Sequence, residues 1–357
     1  MANYTALYSG PCDIFYTDPT SATTYGIQSE AENGTATVEL QEKTAEIGAA
    51  QWGKIGEQFV AQEGMISTKP FDNWGSLAAF FPPFLGATVG AATAAMKIGT
   101  RPHNPLSAGV PATDSPVKVW TPDGRLYTGA RSAIITVPSL HLGVGKALYG
   151  DIKIACLPPS PSGSTVALLS PIGTVFTMSE SGQADPAVST FTMTDFIREA
   201  WSGVWGTVAG FGGAAGSLQG GTAVPIQAAD EWTIDCAVKY SAISIQGGTV
   251  AYKLDSVAYM ASCVPYGPSH TDVLAAIQSS AHAQGKRLTG STLTLTSGLN
   301  SKTIKLQNSQ IKGGGFVFGG TALGSSKIGF VTGMGFNTDT VPSGSAGQPD
   351  PLIIFSA

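Results

Sequence analysis

The sequence predicts a mainly β protein built from two tandem β-sandwich or barrel units, each with one main flanking α-helix. Three observations carry this expectation. Most apolar stretches alternate at period two, or cluster β-branched residues between Gly, Pro, Asn and Ser, as strands do. Helical periodicity is confined to three short segments. One block, GMISTKPFDNWGSLAAFF at 64–81, is echoed later by YMASCVPYGPSHTDVLAAI at 259–277.

Taken in order, TATVELQEKTAEI (35–47), PVKVWT (116–121), SAIITVPSLHL (132–142) and GDIKIACL (150–157) are the strands expected of the first unit. Those of the second are EWTIDCAVKYSAISI (231–245), GTVAYKLDSVAYMA (248–261), STLTLT (291–296), KTIKLQNSQI (302–311) and SKIGFVTGMGF (326–336). Pro122-Asp123-Gly124 lies between two apolar runs and reads as a hairpin turn. Helices are expected at about 73–81, 192–203 and 270–284. In the last, Ser269 is placed as N-cap with Asp272 three residues on, and Val273, Leu274, Ile277 and Ala281 form one apolar stripe.

The echo extends into a repeat, which is to be sought before a fold is assigned. TVELQEKTAEI (37–47) set over TIDCAVKYSAI (233–243) pairs Thr37 with Thr233, Val38 with Ile234, Glu39 with Asp235, Lys43 with Lys239 and Ile47 with Ile243. After a one-residue gap Gly53 meets Gly248, Met65 meets Met260, Ser67 meets Ser262 and Pro70 meets Pro265. A two-residue insertion then brings Leu77 onto Leu274. Upstream, LYSG (7–10) parallels AWSG (200–203). Downstream, AIITVPSLHL then YGDIKIACL parallel TIKLQNSQI then LGSSKIGFV. Met65, Pro70 and Leu77, with Met260, Pro265 and Leu274, are thus expected to be duplicated structural positions that end a strand and seat a helix. The join falls in SESGQADPAVS (179–189), which has linker composition, giving units at 1–185 and 186–357. The first unit also carries a Gly/Ala/Pro/Thr-rich segment at 86–116, too long for an ordinary connection. It is either an extended arm ordered against a neighbour or a surface insertion.

Composition limits the function classes. The 357 residues suffice for two domains that each bury a core. Charged residues make up 12% of the chain, against roughly a quarter in ordinary soluble domains. A surface covered by partners explains this, as does the Ser/Thr-rich skin of a stable extracellular β-protein. The net charge of −5 and the lack of a Lys/Arg cluster argue against a nucleic-acid-binding domain. Cys12, Cys156, Cys236 and Cys263 stand far apart and are expected to be free, partly buried thiols. The start MANYTALYSG has neither a basic leader nor an apolar core segment, so no signal peptide is expected. No apolar run approaches the roughly 18 residues of a membrane span.

Motifs for chemistry are absent. His103, His141, His270 and His282 form no short metal spacing, and neither a G-x-S-x-G elbow nor a Walker-type phosphate loop occurs. No catalytic, cofactor or metal site is therefore expected, and no enzyme. Glu39, Glu42 and Glu46 lie on one predicted strand, with Glu42 and Glu46 in the same parity. They line either a solvated strand face or the wall of a negatively charged channel.

The opening YSGPCDIFYT (8–17), followed by ATVELQEKTAEIGAAQWGKIGEQFVAQEGMISTKPFDNWGSLAAFF (36–81), resembles the tail tube (major tail) proteins of long-tailed bacteriophages. EWTIDCAVKYSAISIQGGTVAYKLDSVAYMASCVPYGPSHTDVLAAI (231–277) is similar in the same way, and the strands from 291 to 337 resemble the end of that fold. The resemblance implies two tail-tube-like domains, each a β-sandwich with a flanking helix. It implies a structural virion protein, made in the host cytoplasm, whose copies form stacked rings around a lumen. A duplicated chain fits trimeric rings with pseudo-sixfold order, with hexamers of whole chains as the runner-up. The implied partners are further copies, other tail proteins at the tube ends, and double-stranded DNA passing without specific binding; no membrane is involved. Net negative charge suits such a conduit, because carboxylates repel phosphate. Another virion or surface assembly protein (decoration, capsid or S-layer-like) and a glycan-binding β-protein using Trp201, Trp205 and Trp232 are the competing readings.

Overall fold

The computed structural model describes residues 12–17, 24–29, 37–49, 51–77, 81, 87–89, 117–121, 124–129, 131–158, 173–180, 198–206, 223–245, 248–266, 292–307, 309–313, 316–317, 324–325, 328–331 and 353–356. They are mainly β and form several antiparallel sheets. The first strands are β1 (Asp13–Thr17), β2 (Thr24–Gln28), β3 (Thr37–Ala49), β4 (Gly53–Thr68), β5 (Ala87–Val89), β6 (Val117–Trp120), β7 (Arg125–Gly129), β8 (Arg131–Thr136), β9 (Leu140–Leu142), β10 (Ile152–Leu157) and β11 (Phe176–Glu180). Alternation decides which side each strand buries. Val117 and Val119 are buried with Lys118 exposed between them, and Ile152 and Ile154 are buried around exposed Lys153. The sheets run β11-β7-β6-β1-β2 and β3-β4-β10-β8. They pack face to face: a Cβ on Gly64 of β4 would lie 2.4 Å from the Phe176 ring and 2.7 Å from Val175 across the core. β6 and β7 pair as an antiparallel hairpin, with Gly124 at φ +83° and its N–H donating to Thr121 O at 2.9 Å; Pro122 and Asp123 of the expected turn lie outside the described residues.

The later strands are β12 (Trp201–Gly206), β13 (Ala223–Ile245), β14 (Gly248–Pro265), β15 (Thr292–Ser297), β16 (Thr303–Gln307), β17 (Gln310–Gly313), β18 (Phe316–Val317), β19 (Gly324–Ser325), β20 (Ile328–Val331) and β21 (Ile353–Ser356). Their order, β17-β20-β14-β13-β12-β15-β16-β21, is that of the first set written again. β12, β14, β15, β16, β17, β20 and β21 take the places of β1, β4, β6, β7, β8, β10 and β11. The 23-residue β13 does the work of both β2 and β3, with a register irregularity between Ala228 and Trp232 where the earlier chain breaks.

The registers agree residue by residue. Thr37, Val38 and Glu39 oppose Ser67, Ile66 and Met65, while Thr233, Ile234 and Asp235 oppose Ser262, Ala261 and Met260. Bulges follow Lys43 and Ile47 in one hairpin and Lys239 and Ile243 in the other. The bridge Ser29↔Pro70 recurs as Ala228↔Pro265. The single-residue gap is the hairpin turn: Ala49↔Gly53 close one, Ile245↔Gly248 the other.

Outside this block the sequence-based pairings need correction. Ser202 occupies the place of Asp13, not of Ser9. Ala133-Ile134 matches Gln310-Ile311, because Ile134 and Ile311 face Ile154 and Phe330. Ile152 matches Ile328, two residues from the sequence alignment; a slip of two keeps each side chain on its own face, which is why alternation alone could not detect it.

The helices are also revised. Of the helix expected at 73–81, Trp74–Ser76 form a 3₁₀ turn capped by Asn73, which accepts from Gly75 N–H at 2.9 Å, while Leu77 is α-helical and accepts from Phe81 N–H at 2.8 Å, with 78–80 outside the described residues. Residues 201–203 of the segment 192–203 are strand, because Trp201, Gly203 and Trp205 point inward with Ser202 and Val204 exposed between them. The helix at 270–284, with Leu274, lies outside the described residues, as do 90–116 of the long segment and 181–189 of the join.

Two strands of the first set belong to the sheets of the second. β9 pairs antiparallel with the outer edge of β13, Leu140 opposite Ile234, His141 opposite Thr233 and Leu142 opposite Trp232. β5 pairs parallel with β21. The turn between β4 and β5 crosses with them. Trp74 stacks on Trp201 at 6.0 Å and meets Phe355 edge-on at 6.2 Å, and Phe81 lies 4.9 Å from Phe355. One continuous core results.

The tightest packing in that core yields a test. A Cβ on Gly203 would lie 2.4 Å from Trp232 Cζ2, and the Trp232 ring is wholly buried. Gly203→Ala is expected to cost about 1–3 kcal/mol through overpacking. Gly206→Ala, three residues along the same strand with nothing within 4 Å of its added Cβ, is expected to stay within about 0.5 kcal/mol. Denaturant midpoints of the two variants against the parent protein check this.

Candidate assembly surface

The hairpin of β3 and β4 runs well past the core that anchors it. Val38 and Ile66 pack on that core. Beyond them, Glu39 through Gly48 on β3 and Gly53 to Ile55, Glu57 and Gln58 on β4 are exposed on both faces. Leu40, Ile47, Trp52 and Ile55 are among the exposed large apolar residues, Trp52 at 81%. A two-stranded ribbon wet on both faces has little to hold it in water. Exposed apolar residues concentrated on one such element mark an interaction surface.

The predicted acidic positions separate on this ribbon. Glu42 and Glu46 share a face, while Glu39, of opposite parity, points to the other side with Lys43. Glu42 accepts from Gln62 Nε2 at 3.4 Å. Glu46 faces Glu57 across the strands, and Lys54 bridges both carboxylates, at 3.0 Å from Glu46. The Glu57 and Glu46 hydrogen bonds raise the Lys54 pKa. The ribbon holds five carboxylates and two lysines between 37 and 68, so it stays net negative despite these pairs. Lys43 also pairs with Glu63 at 2.5 Å. Burial pushes the Glu63 pKa up, but Lys43 and a hydrogen bond from Thr249 of β14 outweigh it and leave the carboxyl below its ordinary value. Glu63 thereby ties the first hairpin to the second. Beside it the Tyr252 phenol is pushed up to about 12, by burial first and then by the Glu63 charge.

The duplicated positions behave as structural ones. Pro70 and Pro265 are buried at matching bridges, Leu77 is fully buried, and Met65 and Met260 oppose Glu39 and Asp235 half-buried. The four thiols are unpaired with one another: Cys156 and Cys263 are buried, Cys12 and Cys236 half-buried. Burial raises the pKa of Cys156 and of Cys236.

The seam between the two strand sets holds the polar groups that sequence alone did not single out. Asp72, almost fully buried, accepts from Leu148 N–H at 2.7 Å and pairs with Arg198. Tyr149 donates to Asn73 O at 2.7 Å. The buried Arg131 donates to Pro158 O at 3.1 Å and to Val250 O at 2.9 Å. Lys146 pairs with Asp230 at 3.0 Å. At the rim, Ser139 Oγ lies 3.2 Å from His141 Nε2, and His141 Nδ1 lies 3.5 Å from Glu231, beside a pocket lined by Lys69, His141, Lys146, Tyr149 and Glu231. The order resembles a nucleophile, base and orienting acid. Backbone donors close by are already engaged, Gly150 N–H on Ser139 O at 2.8 Å, Leu148 N–H on Asp72 and His141 N–H on Leu148 O. The His141–Glu231 contact joins β9 to β13. Among the described residues no group of three His, Cys, Asp or Glu could hold a metal ion, and no helix is long and apolar enough to cross a membrane.

No family model matches the chain, and no curated protein matches it in sequence.

Glu63 gives this surface a pH dependence. Its folded pKa is depressed, so its stabilisation is complete above the ordinary carboxylate value near 4.5 and is lost as the pH falls through the lowered value. Thermal midpoints of the parent protein are expected to fall on acidification below about pH 4.5. In Glu63→Gln that part of the decline should be absent, with a lower midpoint at neutral pH. Parallel acid limbs in the two proteins would assign the acid sensitivity elsewhere.

Proposed function

We propose that this chain is a structural virion protein that assembles into stacked rings forming the tube of a phage tail, a conduit for the genome. The observation that carries this reading is the recurrence of one strand order and one bulged register in a single chain. On this reading residues 1–185 and 186–357 are two tail-tube-like sandwich domains, each with a flanking helix in its connecting segment. Three chains then supply six similar domains around a lumen. The way in which β5 and β9 complete the sheets of the second set supports it. A domain that completes its neighbour head to tail has a heterologous interface, and such interfaces generate rings or filaments. The exposed ribbon β3–β4 supplies contact area for stacking, and the low charge content follows from burial between copies. Of the three carboxylates expected at the lumen, Glu42 and Glu46 share a face and are the candidates to line it together, repelling phosphate so that DNA slides, while Glu39 faces the other side of the ribbon. No catalysis or cofactor is involved. The partners are further copies, other tail proteins at the tube ends, and passing DNA.

Electron microscopy of the assembled protein tests this. The expected image is a smooth tube whose rings have strict threefold and approximate sixfold symmetry. A ring of six whole chains would keep the function and overturn the trimeric, pseudo-sixfold arrangement. A monomer in solution that binds glycans with measurable affinity would overturn the function itself.

A further inference from the structure

The seam inside one chain is a template for a contact between chains. β9, which covers the outer edge of β13, lies in the connection between β8 and β10 and is held by the bridge Leu140↔Tyr149. The matching connection, between β17 and β20, holds β18 and β19, paired Phe316↔Ser325 and Val317↔Gly324. Because Ile152 of β10 matches Ile328 of β20, Tyr149 falls on Ser325 and Leu140 on Phe316. The sequences agree at this register: Leu-His-Leu at 140–142 stands over Phe-Val-Phe at 316–318, apolar at both outer positions. The strand that β9 covers has its own counterpart as well. Thr233 and Ile234 of β13 match Thr37 and Val38 of β3. β3 ends its sheet, and its outer side carries no strand among the described residues; β18 likewise pairs only with β19 among them. Donor and acceptor thus occur twice in the chain and are joined once.

We infer that β18 of one copy adds antiparallel to the bare outer edge of β3 in a neighbouring copy, with Phe316 opposite Val38 and Val317 opposite Thr37. The burial of matched residues points the same way. Ile234, under β9, is fully buried, whereas Val38 is only partly so. Phe355 of β21, under Trp74 and Phe81, is fully buried, while Met178, at the same position of β11, is 51% exposed. Trp201 is buried under Trp74, while Cys12 at the matching place is half-buried. Among the described residues the first strand set has no counterpart of the cover that it gives to the second. A second copy of this chain carries the matching donor. An unpaired edge takes a strand readily, and Thr37 in the ribbon base fixes the register. The inference deepens the proposed ring assembly and rests on it.

Paired cysteines test it. Opposed Cα atoms in an antiparallel ladder lie about 4.5–5.5 Å apart, within disulfide reach. Thr37→Cys with Val317→Cys, oxidised in the assembled protein and run without reductant, is expected to give covalent dimers and trimers with the ladder closing at three. Each single variant and Thr37→Cys with Gly324→Cys, whose strand lies on the far side of β18, should give neither. A cross-link confined to one chain would overturn the inference, because the edge would then be closed from within. Hydrogen exchange on the unsubstituted protein gives a second reading that needs no variant to fold. Amides at 37–39 and 316–317 should exchange at least about tenfold more slowly in the assembly than in free subunits. Rings by microscopy without cross-link or protection would discard the edge pairing and leave the ring. A ladder that runs on without closing would keep the pairing and discard the ring.

Discussion

The outer edge of β13 is the constraint around which the molecule is arranged. A long strand in a sheet presents donors and acceptors on both sides, and a bare side is a template for whatever strand comes near. Here β14 takes one side of the strand from Trp232 on, and β9 takes Trp232–Ile234 on the other. Placing β9 there fixes much else. Leu140 and Leu142 enter the core on alternate positions. The loop after β9 must return to β10, which brings Leu148 N–H to Asp72 and Tyr149 to Asn73. Asp72 lies almost out of water, where an unpaired carboxylate is costly, and Arg198 supplies the opposite charge. The chain entering the 3₁₀ turn is thus held where Trp74 reaches Trp201. Truncating such a buried aromatic to Ala typically costs about 3–5 kcal/mol, so the seam is a structural necessity for the second strand set.

The two strand sets share backbone order and register while their side chains divide the space differently. Gly64 on β4 makes room for Phe176, whereas the matching pair is Tyr259 and Ile353, with the bulk moved to the other sheet. Gly203 on β12 admits the Trp232 ring, and its counterpart Ile14 fills the same layer from its own strand. Core volume is conserved more strictly than residue identity, because cores tolerate redistribution of volume and punish its change. Backbone pairing has less freedom. A one-residue slip would turn every inward side chain outward, so even the two bulges recur at matched positions.

That contrast decides what could be read from the sequence. Alternation located the hairpin strands, and the Thr37, Lys43, Ile47, Met65 and Pro70 matches gave the true register of the hairpins, since those residues sit where pairing is least free. Short strands such as Asp13–Thr17 and Phe176–Glu180 carry too few alternations to stand out. Trp201–Gly206 was hidden because its tryptophans follow a stretch whose apolar spacing also suits a helix; the glycines at 203 and 206 were the available sign of a strand. The seam was not readable at all. His141 and Ser139 gain meaning only when Glu231 arrives from a distant strand. Nothing in Leu-His-Leu distinguishes an edge cover from the end of the preceding strand. Of the three acidic residues, parity correctly grouped Glu42 with Glu46, and the same rule set Glu39 apart.

The exposed ribbon β3–β4 poses a problem that its charges solve. In the proposed assembly its apolar residues, Leu40, Ile47, Trp52 and Ile55, become covered, yet each copy must first exist uncovered. Lysine and glutamate on the two strands are a known defence of open edges, since burying an unpaired charge opposes random strand addition. Lys54 between Glu46 and Glu57, and Lys43 beside Glu63, occupy the ribbon along its length. Because the Lys54 pairs are solvated, they add little to stability and are weakened by salt. They act on association instead. A partner that offers matching charges can cover the ribbon without stranding a carboxylate, and one that does not is rejected. The ribbon is therefore both the least self-sufficient element of the chain and the one whose pairing is most restricted, which is the combination an ordered polymer requires and an amorphous aggregate lacks.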